Sequence, residues 1–146
     1  MITFKRYLNR NVYYLFLVIY AVSLPLKSNE DFYGIYKYLH QNPELSLQEF
    51  ETTKYLEDLL EEYGYEIITN IGGNGFAAIL KNGGNKTVLF RADMDALPIK
   101  EETGISFESV KTTKQNGMDV PIMHACGHDI HMTSLIGTAE YFSKNK

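Results

Sequence analysis

The chain has 146 residues, a net charge of −4, 45% hydrophobic and 22% charged residues, and a single cysteine. That length holds one modest domain, the hydrophobic content excludes a disordered chain, and one cysteine excludes an internal disulfide framework or a zinc site built from several thiolates. Acids outnumber bases 18 to 14, so no positive surplus faces phosphates and a nucleic-acid partner is not expected.

The first segment has the pattern of a targeting signal. Lys5, Arg6 and Arg10 precede an unbroken apolar and aromatic run from Val12 to Val22, and no acid occurs before Glu30. Ala21 and Ser23 supply small residues at −3 and −1 of a cut after Ser23, so residues 1–23 are expected to be a signal peptide and residues 24–146 the working chain. The run is shorter than the roughly 20 residues of a spanning helix, so no stable membrane span is expected; an uncleaved anchor is the alternative, and a buried core helix would show a polar face. Cleavage removes three positive charges and no acid, taking the net charge from −4 to −7. Export to the periplasm or the medium is the expectation.

Asp31 to Gln41 has helical spacing, with Phe32, Ile35, Tyr36 and Leu39 on one face. Asn42-Pro43 stops it, because proline pushes the preceding residue out of the α region. Ser46 and Glu49 form a capping-box pattern before Leu56, Leu59, Leu60 and Tyr63, and Gly64 closes that second helix. Tyr65–Thr69 predicts a short strand, followed by a flexible Gly72-Gly73 connection. Phe76–Lys81 and Thr87–Ala92 are apolar runs joined by Asn82-Gly83-Gly84-Asn85, which predicts a hairpin. From Asp93 the chain is irregular until a last helix near Asp129, with Met132, Leu135, Ile136, Ala139 and Phe142 as its apolar stripe. The order predicts an α/β domain, a layered sheet with flanking helices whose edges are left uncovered.

Three of the four histidines, the cysteine and an aspartate lie together in Met123-His124-Ala125-Cys126-Gly127-His128-Asp129-Ile130-His131. A thiolate and an imidazole two residues apart, beside a carboxylate, have metal-ligand chemistry. Gly127 allows the tight backbone that turns both side chains to one point, whereas a buried inert cysteine is the bland alternative. His124 and His131 fit a further ligand, a supporting donor or a helix-surface residue. His40 suits the capping of carbonyls at a helix end. Asp93 and Asp95 follow the apolar stretch Val88-Leu89-Phe90, where ligands bind in α/β sheets, or they are turn residues beside Pro98. Glu101-Glu102 is expected to be a solvated pair.

Three blocks occur in order: YLHQNPELSLQEFETTKYLEDLLEEYGYEI, RADMDALPIKEETG and MHACGHDIHMTSLIGTA. Together, over residues 35–143, they resemble the N-terminal third of the metal-dependent N-acyl-amino-acid amidohydrolases. That family includes hippurate hydrolases and auxin-conjugate hydrolases, within the aminoacylase and carboxypeptidase-type metallopeptidase superfamily. The resemblance implies a two-metal hydrolase, zinc or manganese, acting on N-acyl amino acids, with an inserted domain through which the complete protein forms a homodimer. It implies that Cys126 and His128 are metal ligands, the thiolate bridging the ions, and that Asp95 orients a ligand. Asp93 falls where many relatives carry a metal-binding histidine. Two ions then polarise the amide carbonyl and activate a water, and a glutamate acts as general base. In the family that glutamate belongs to a Glu-Glu pair beyond the Cys-Gly-His block, and further histidine ligands follow it. Glu101-Glu102, upstream, does not replace the pair, so this chain alone is expected to be inactive. The stretch Lys111–Ile122 is longer than the family pattern and is expected to reshape the cleft rim. Two other functions compete: a non-catalytic module that binds a metal ion or a partner, and a cysteine-nucleophile hydrolase using Cys126 with His124 or His128.

Overall fold

The structure, a computed structural model, describes residues 31–145. The expected signal at residues 1–23 lies outside the described residues. Three helices and four short strands follow in the order α1 (Phe32–Gln41), α2 (Phe50–Glu62), β1 (Glu66–Ile71), β2 (Gly75–Ile79), β3 (Thr112–Gln115), β4 (Met118–Pro121) and α3 (His128–Lys144). Helix and sheet are mixed, as the pattern predicts.

The core lies where the three helices meet. Ile35 and Leu39 of α1, Leu56 and Leu60 of α2, and Met132, Ile136 and Ala139 of α3 form one buried cluster. All seven lie on the helical stripes named from the sequence, because burial of one face is what stabilises a short helix. Ile67, Phe76 and Ala78 of the first sheet and Met94 of the following segment pack against the same cluster. Tyr65 adds a polar tie, its hydroxyl donating to the Ala139 carbonyl at 3.0 Å.

Two local expectations change. The second helix begins at Phe50, with Glu49 as a cap residue that makes no side-chain cap bond. The capping is done instead by Glu44, whose carboxylate accepts from the backbone N–H of Thr52 at 2.7 Å and of Glu51 at 3.2 Å. Leu47, at φ +66°, breaks the helical path before then.

The hairpin is also in a different place. β1 pairs antiparallel with β2 across the Gly72-Gly73 turn, with Glu66 opposite Ile79 and Ile68 opposite Ala77. Thr87–Ala92 forms no strand among the described residues, and Val88 and Leu89 are 73% and 86% exposed. Phe76–Ile79 therefore turns back on β1, the nearer partner in sequence, and the later apolar run is left unpaired. A second, separate sheet pairs β3 with β4 in register from Thr112–Pro121 to Gln115–Met118. Its turn is Asn116-Gly117, with φ +51° and +80°, the two positive values that a two-residue hairpin demands. The long stretch before the Met123–His131 cluster is thus an ordered hairpin. No helix among the described residues is long and apolar enough to cross a membrane.

Candidate metal centre

One backbone bridge brings the two chemical motifs together, and a second ties the aspartate segment to the chain before α2. Leu97 and Met123 exchange antiparallel hydrogen bonds of 3.0 and 3.1 Å, and Ala96 donates to the Glu44 carbonyl at 2.7 Å. Asp95 is therefore fixed two residues before Leu97, which is paired to the start of the Met123–His131 motif. Asp95 and Asp93 do not share a strand face, since residues 91–95 carry no strand. Asp93 instead pairs with the exposed guanidinium of Arg91.

His128 is the first residue of α3, and Gly127 caps the helix in the left-handed conformation at φ +75°. The Nδ1 of His128 lies 2.8 Å from the Asp95 carbonyl oxygen and 3.1 Å from its carboxylate. A carbonyl oxygen only accepts, so Nδ1 carries the proton and Nε2 presents its lone pair. This is how supporting oxygens orient a metal-binding imidazole. Cys126, two residues earlier, is exposed and makes no disulfide.

The neighbouring histidines differ sharply. His131 is exposed, with its ring 5.9 Å from that of His128. His124 is buried at 5% exposure, which removes the surface option. Neither of its ring nitrogens makes a hydrogen bond of normal geometry, although the Asp95 backbone lies close enough to act on it. Burial holds its pKa below the ordinary imidazole value; the charge of Asp129 opposes that, and those of His128 and His40 reinforce it.

Beneath the motif lies a group that the sequence pattern misplaced. His40 is buried, with Nδ1 2.7 Å from Asp129 Oδ2 and Nε2 3.0 Å from Glu101 Oε1. Glu101 is 4% exposed and Asp129 3%. Glu101 is no solvated residue: its carboxylate also accepts from the Thr103 hydroxyl at 2.5 Å and the Ser109 N–H at 2.6 Å. Its sequence neighbour Glu102 points to solvent and pairs with Lys100 at 3.2 Å. Nor does His40 cap a helix; the side-chain amide of Asn42 does so, donating to the Tyr38 carbonyl at 2.7 Å. Burial pulls the His40 pKa down, but the hydrogen bonds and charges of Asp129 and Glu101 outweigh it and leave it raised. For Glu101, burial pushes upward and is outweighed by Thr103, Ser109 and His40, so its pKa is lowered. Tyr36 and Phe107 close the pocket with rings 5.5 and 5.4 Å from that of His40.

Residues 89–146 match Peptidase family M20/M25/M40. The chain matches part of an M20 peptidase. It is 42% identical over 114 residues to the hippurate hydrolase of Campylobacter jejuni, a match covering 77% of this chain and 28% of that protein. It is 43% identical to the N-acetyl-L-cysteine deacetylase of Bacillus subtilis, covering 77% and 26%. Among solved structures it is similar to a Bacillus subtilis protein described as a dinuclear metal-binding peptidase of the M20 family, with a TM-score of 0.67, 40% identity, and 78% and 30% of the two chains covered. The chain thus spans less than a third of the length of these relatives.

The residues of this M20-like segment suit a divalent ion as far as they go. A thiol, an imidazole with its Nε2 lone pair free and a supporting carboxylate are the donor chemistry of such a site, and His124 adds a buried ring with unmet bonding capacity. Among the described residues no group of three or more His, Cys, Asp or Glu side chains is arranged to hold a metal ion. Cys126 and His128 would hold one side of an ion whose remaining donors are not gathered here.

Proposed function

We propose that this chain contributes the Cys126–His128 side of a metal site in an enzyme that hydrolyses amide bonds of N-acyl amino acids or similar small conjugates. The observation that carries the proposal is the bond between the Asp95 backbone and His128, which frees Nε2 for a ligand. The names of the relatives, hippurate hydrolase and N-acetyl-L-cysteine deacetylase, support the substrate class, and the dinuclear neighbour supports two divalent ions.

A bound divalent pair supplies carbonyl polarisation and a water of lowered pKa. The chain's own residues prepare that chemistry. Cys126, at the surface, offers a thiolate with no rearrangement of the core. His128 is held by Asp95 in the tautomer that leaves Nε2 unprotonated. Gly127 turns the backbone between them. Zinc suits the thiolate and imidazole, and manganese the carboxylates expected of the completed site. Export, directed by residues 1–23, and a homodimer of the complete protein belong to the same proposal.

The test uses protein purified from its source, assayed on N-benzoylglycine and N-acetylcysteine with and without a chelator. Turnover that chelation abolishes and zinc or manganese restores is the expected result. Turnover that survives chelation but not iodoacetamide would transfer the chemistry to a Cys126 nucleophile. Stoichiometric metal binding without turnover would leave a binding module. A product beginning at Leu24 would establish the signal cleavage.

A further inference from the structure

The His40 cluster lies directly under the metal motif, and the hydrolytic chemistry makes no use of it. One imidazole touches two carboxylates from distant parts of the chain, Glu101 in the loop after Pro98 and Asp129 in the first turn of α3. Each of its nitrogens faces a carboxylate oxygen, so a ring that donates from both is an imidazolium. Breaking such a buried arrangement leaves uncompensated charge, which is far costlier than losing a surface pair. Asp129 is covalently next to His128, and its other oxygen accepts from the Ile130 N–H at 2.9 Å. Any shift of Asp129 therefore turns the first residues of α3, and His128 with them.

We propose that His40 is a positioning residue for the metal site: through its Nδ1 bond to Asp129 it fixes the first turn of α3, and so sets how His128 and Cys126 present themselves to an ion. The bond to Glu101 at the other nitrogen anchors the ring to the protein interior. The two halves of the ring thus have different jobs, one directed at the metal motif and one at stability.

That division is testable because two amides each copy one half. The amide nitrogen of asparagine stands two bonds beyond Cβ, as Nδ1 does; that of glutamine stands three beyond, as Nε2 does. His40→Asn keeps a donor toward Asp129, and His40→Gln keeps one toward Glu101. Both lose the positive charge, so both lose stability. The probe is Co2+ titrated into the 146-residue chain, followed by the thiolate-to-cobalt absorption and with the fold checked by circular dichroism. His40→Asn should bind Co2+ within about 3-fold of the unsubstituted chain and give the same spectrum. His40→Gln should bind about 10–100-fold more weakly, the range for loss of a residue supporting metal ligands.

Equal affinities, or equal losses, in the two folded variants would overturn the proposal. Should either variant not fold, the unsubstituted chain decides. Coupling is reciprocal, so Co2+, or diamagnetic Zn2+ for nuclear magnetic resonance, should slow solvent exchange of the His40 ring Nδ1–H by about 10-fold or more. An unchanged rate would also overturn it. The inference rests on the metal reading of Cys126 and His128, and the two fail differently. If the unsubstituted chain binds neither Co2+ nor Zn2+, both fall; if it binds them and the asparagine and glutamine variants behave alike, only the role of His40 does.

Discussion

Asp95 holds His128 from two sides, its carbonyl oxygen 2.8 Å and its carboxylate 3.1 Å from the same Nδ1. The backbone contact survives any substitution at position 95, whereas the carboxylate contact does not. Asp95→Asn and Asp95→Ala should therefore keep the histidine tautomer and lose only the charge that strengthens it as a donor. Metal affinity should fall about 10–100-fold in both. Because the Asp95 side chain is about one-third exposed, stability should change little. Zinc competition against a chromophoric chelator, alongside urea unfolding, separates the two effects. An unchanged affinity would remove Asp95 from the site.

Cys126 makes the complementary case. Its exposure means that the fold gains little from burying it, and substitutions at such positions usually stay within about 0.5 kcal/mol. Cys126→Ala should accordingly unfold at the same urea concentration as the parent chain. Its cobalt complex should lack the thiolate absorption and bind at least about 10-fold more weakly. Iodoacetamide should modify the parent chain readily, and Zn2+ should protect it.

Gly127 joins the two proposed ligands at φ +75°, and a Cβ placed there would meet nothing within 4 Å. The constraint is conformational and not one of space. An L-residue in that region costs about 1–2 kcal/mol, and asparagine tolerates it best. Thermal unfolding should rank the parent above Gly127→Asn and that above Gly127→Ala. Metal affinity should follow the same order, since the strained backbone relieves itself by turning His128. A bulky neighbour cannot explain such an order, because none is present.

The sequence showed what repeats and what clusters. Helical spacing named Ile35, Leu39, Leu56, Leu60, Met132, Ile136 and Ala139, all of them in the core. Phe142, named on the same stripe, stays 38% exposed in the last turns of α3, where its ring meets that of Phe90 at 5.8 Å. Strand pairing was less legible, because an apolar run does not state its partner. Phe76–Ile79 satisfied its edge with β1, across glycines that looked like a loose linker. Asn116-Gly117 was an available hairpin signal, hidden because Thr112–Pro121 is polar and mostly exposed and carries little apolar alternation. The proposed ligands Cys126 and His128 stood out because they are near neighbours in the chain, either side of Gly127. Nothing stood out where burial decides: Glu101 and Glu102 read alike, yet one is buried against His40 and the other meets solvent. No local pattern announces that His40 meets groups 61 and 89 residues away.

The buried imidazole sets how stability depends on pH. The His40 pKa is raised in the folded chain, since Asp129 and Glu101 outweigh the burial that opposes them. Its contribution is therefore complete below the ordinary value of 6.5 and is lost as pH rises through the elevated folded value. Glu101 has the opposite sign: with its pKa lowered, its contribution is complete above the ordinary 4.5 and is lost as pH falls through the lower folded value. His124, held low by burial, adds a second acid-side loss that begins below 6.5. Urea midpoints measured with a chelator present should thus be highest near the ordinary imidazole value and decline on both sides. The alkaline decline belongs to His40, so it should vanish in His40→Asn while the acid decline remains. Tyr36, raised by burial and by Asp129 and Glu101, titrates too far above this range to imitate it. If the alkaline decline persisted in His40→Asn, the charge shared between Glu101 and Asp129 would not reside on His40.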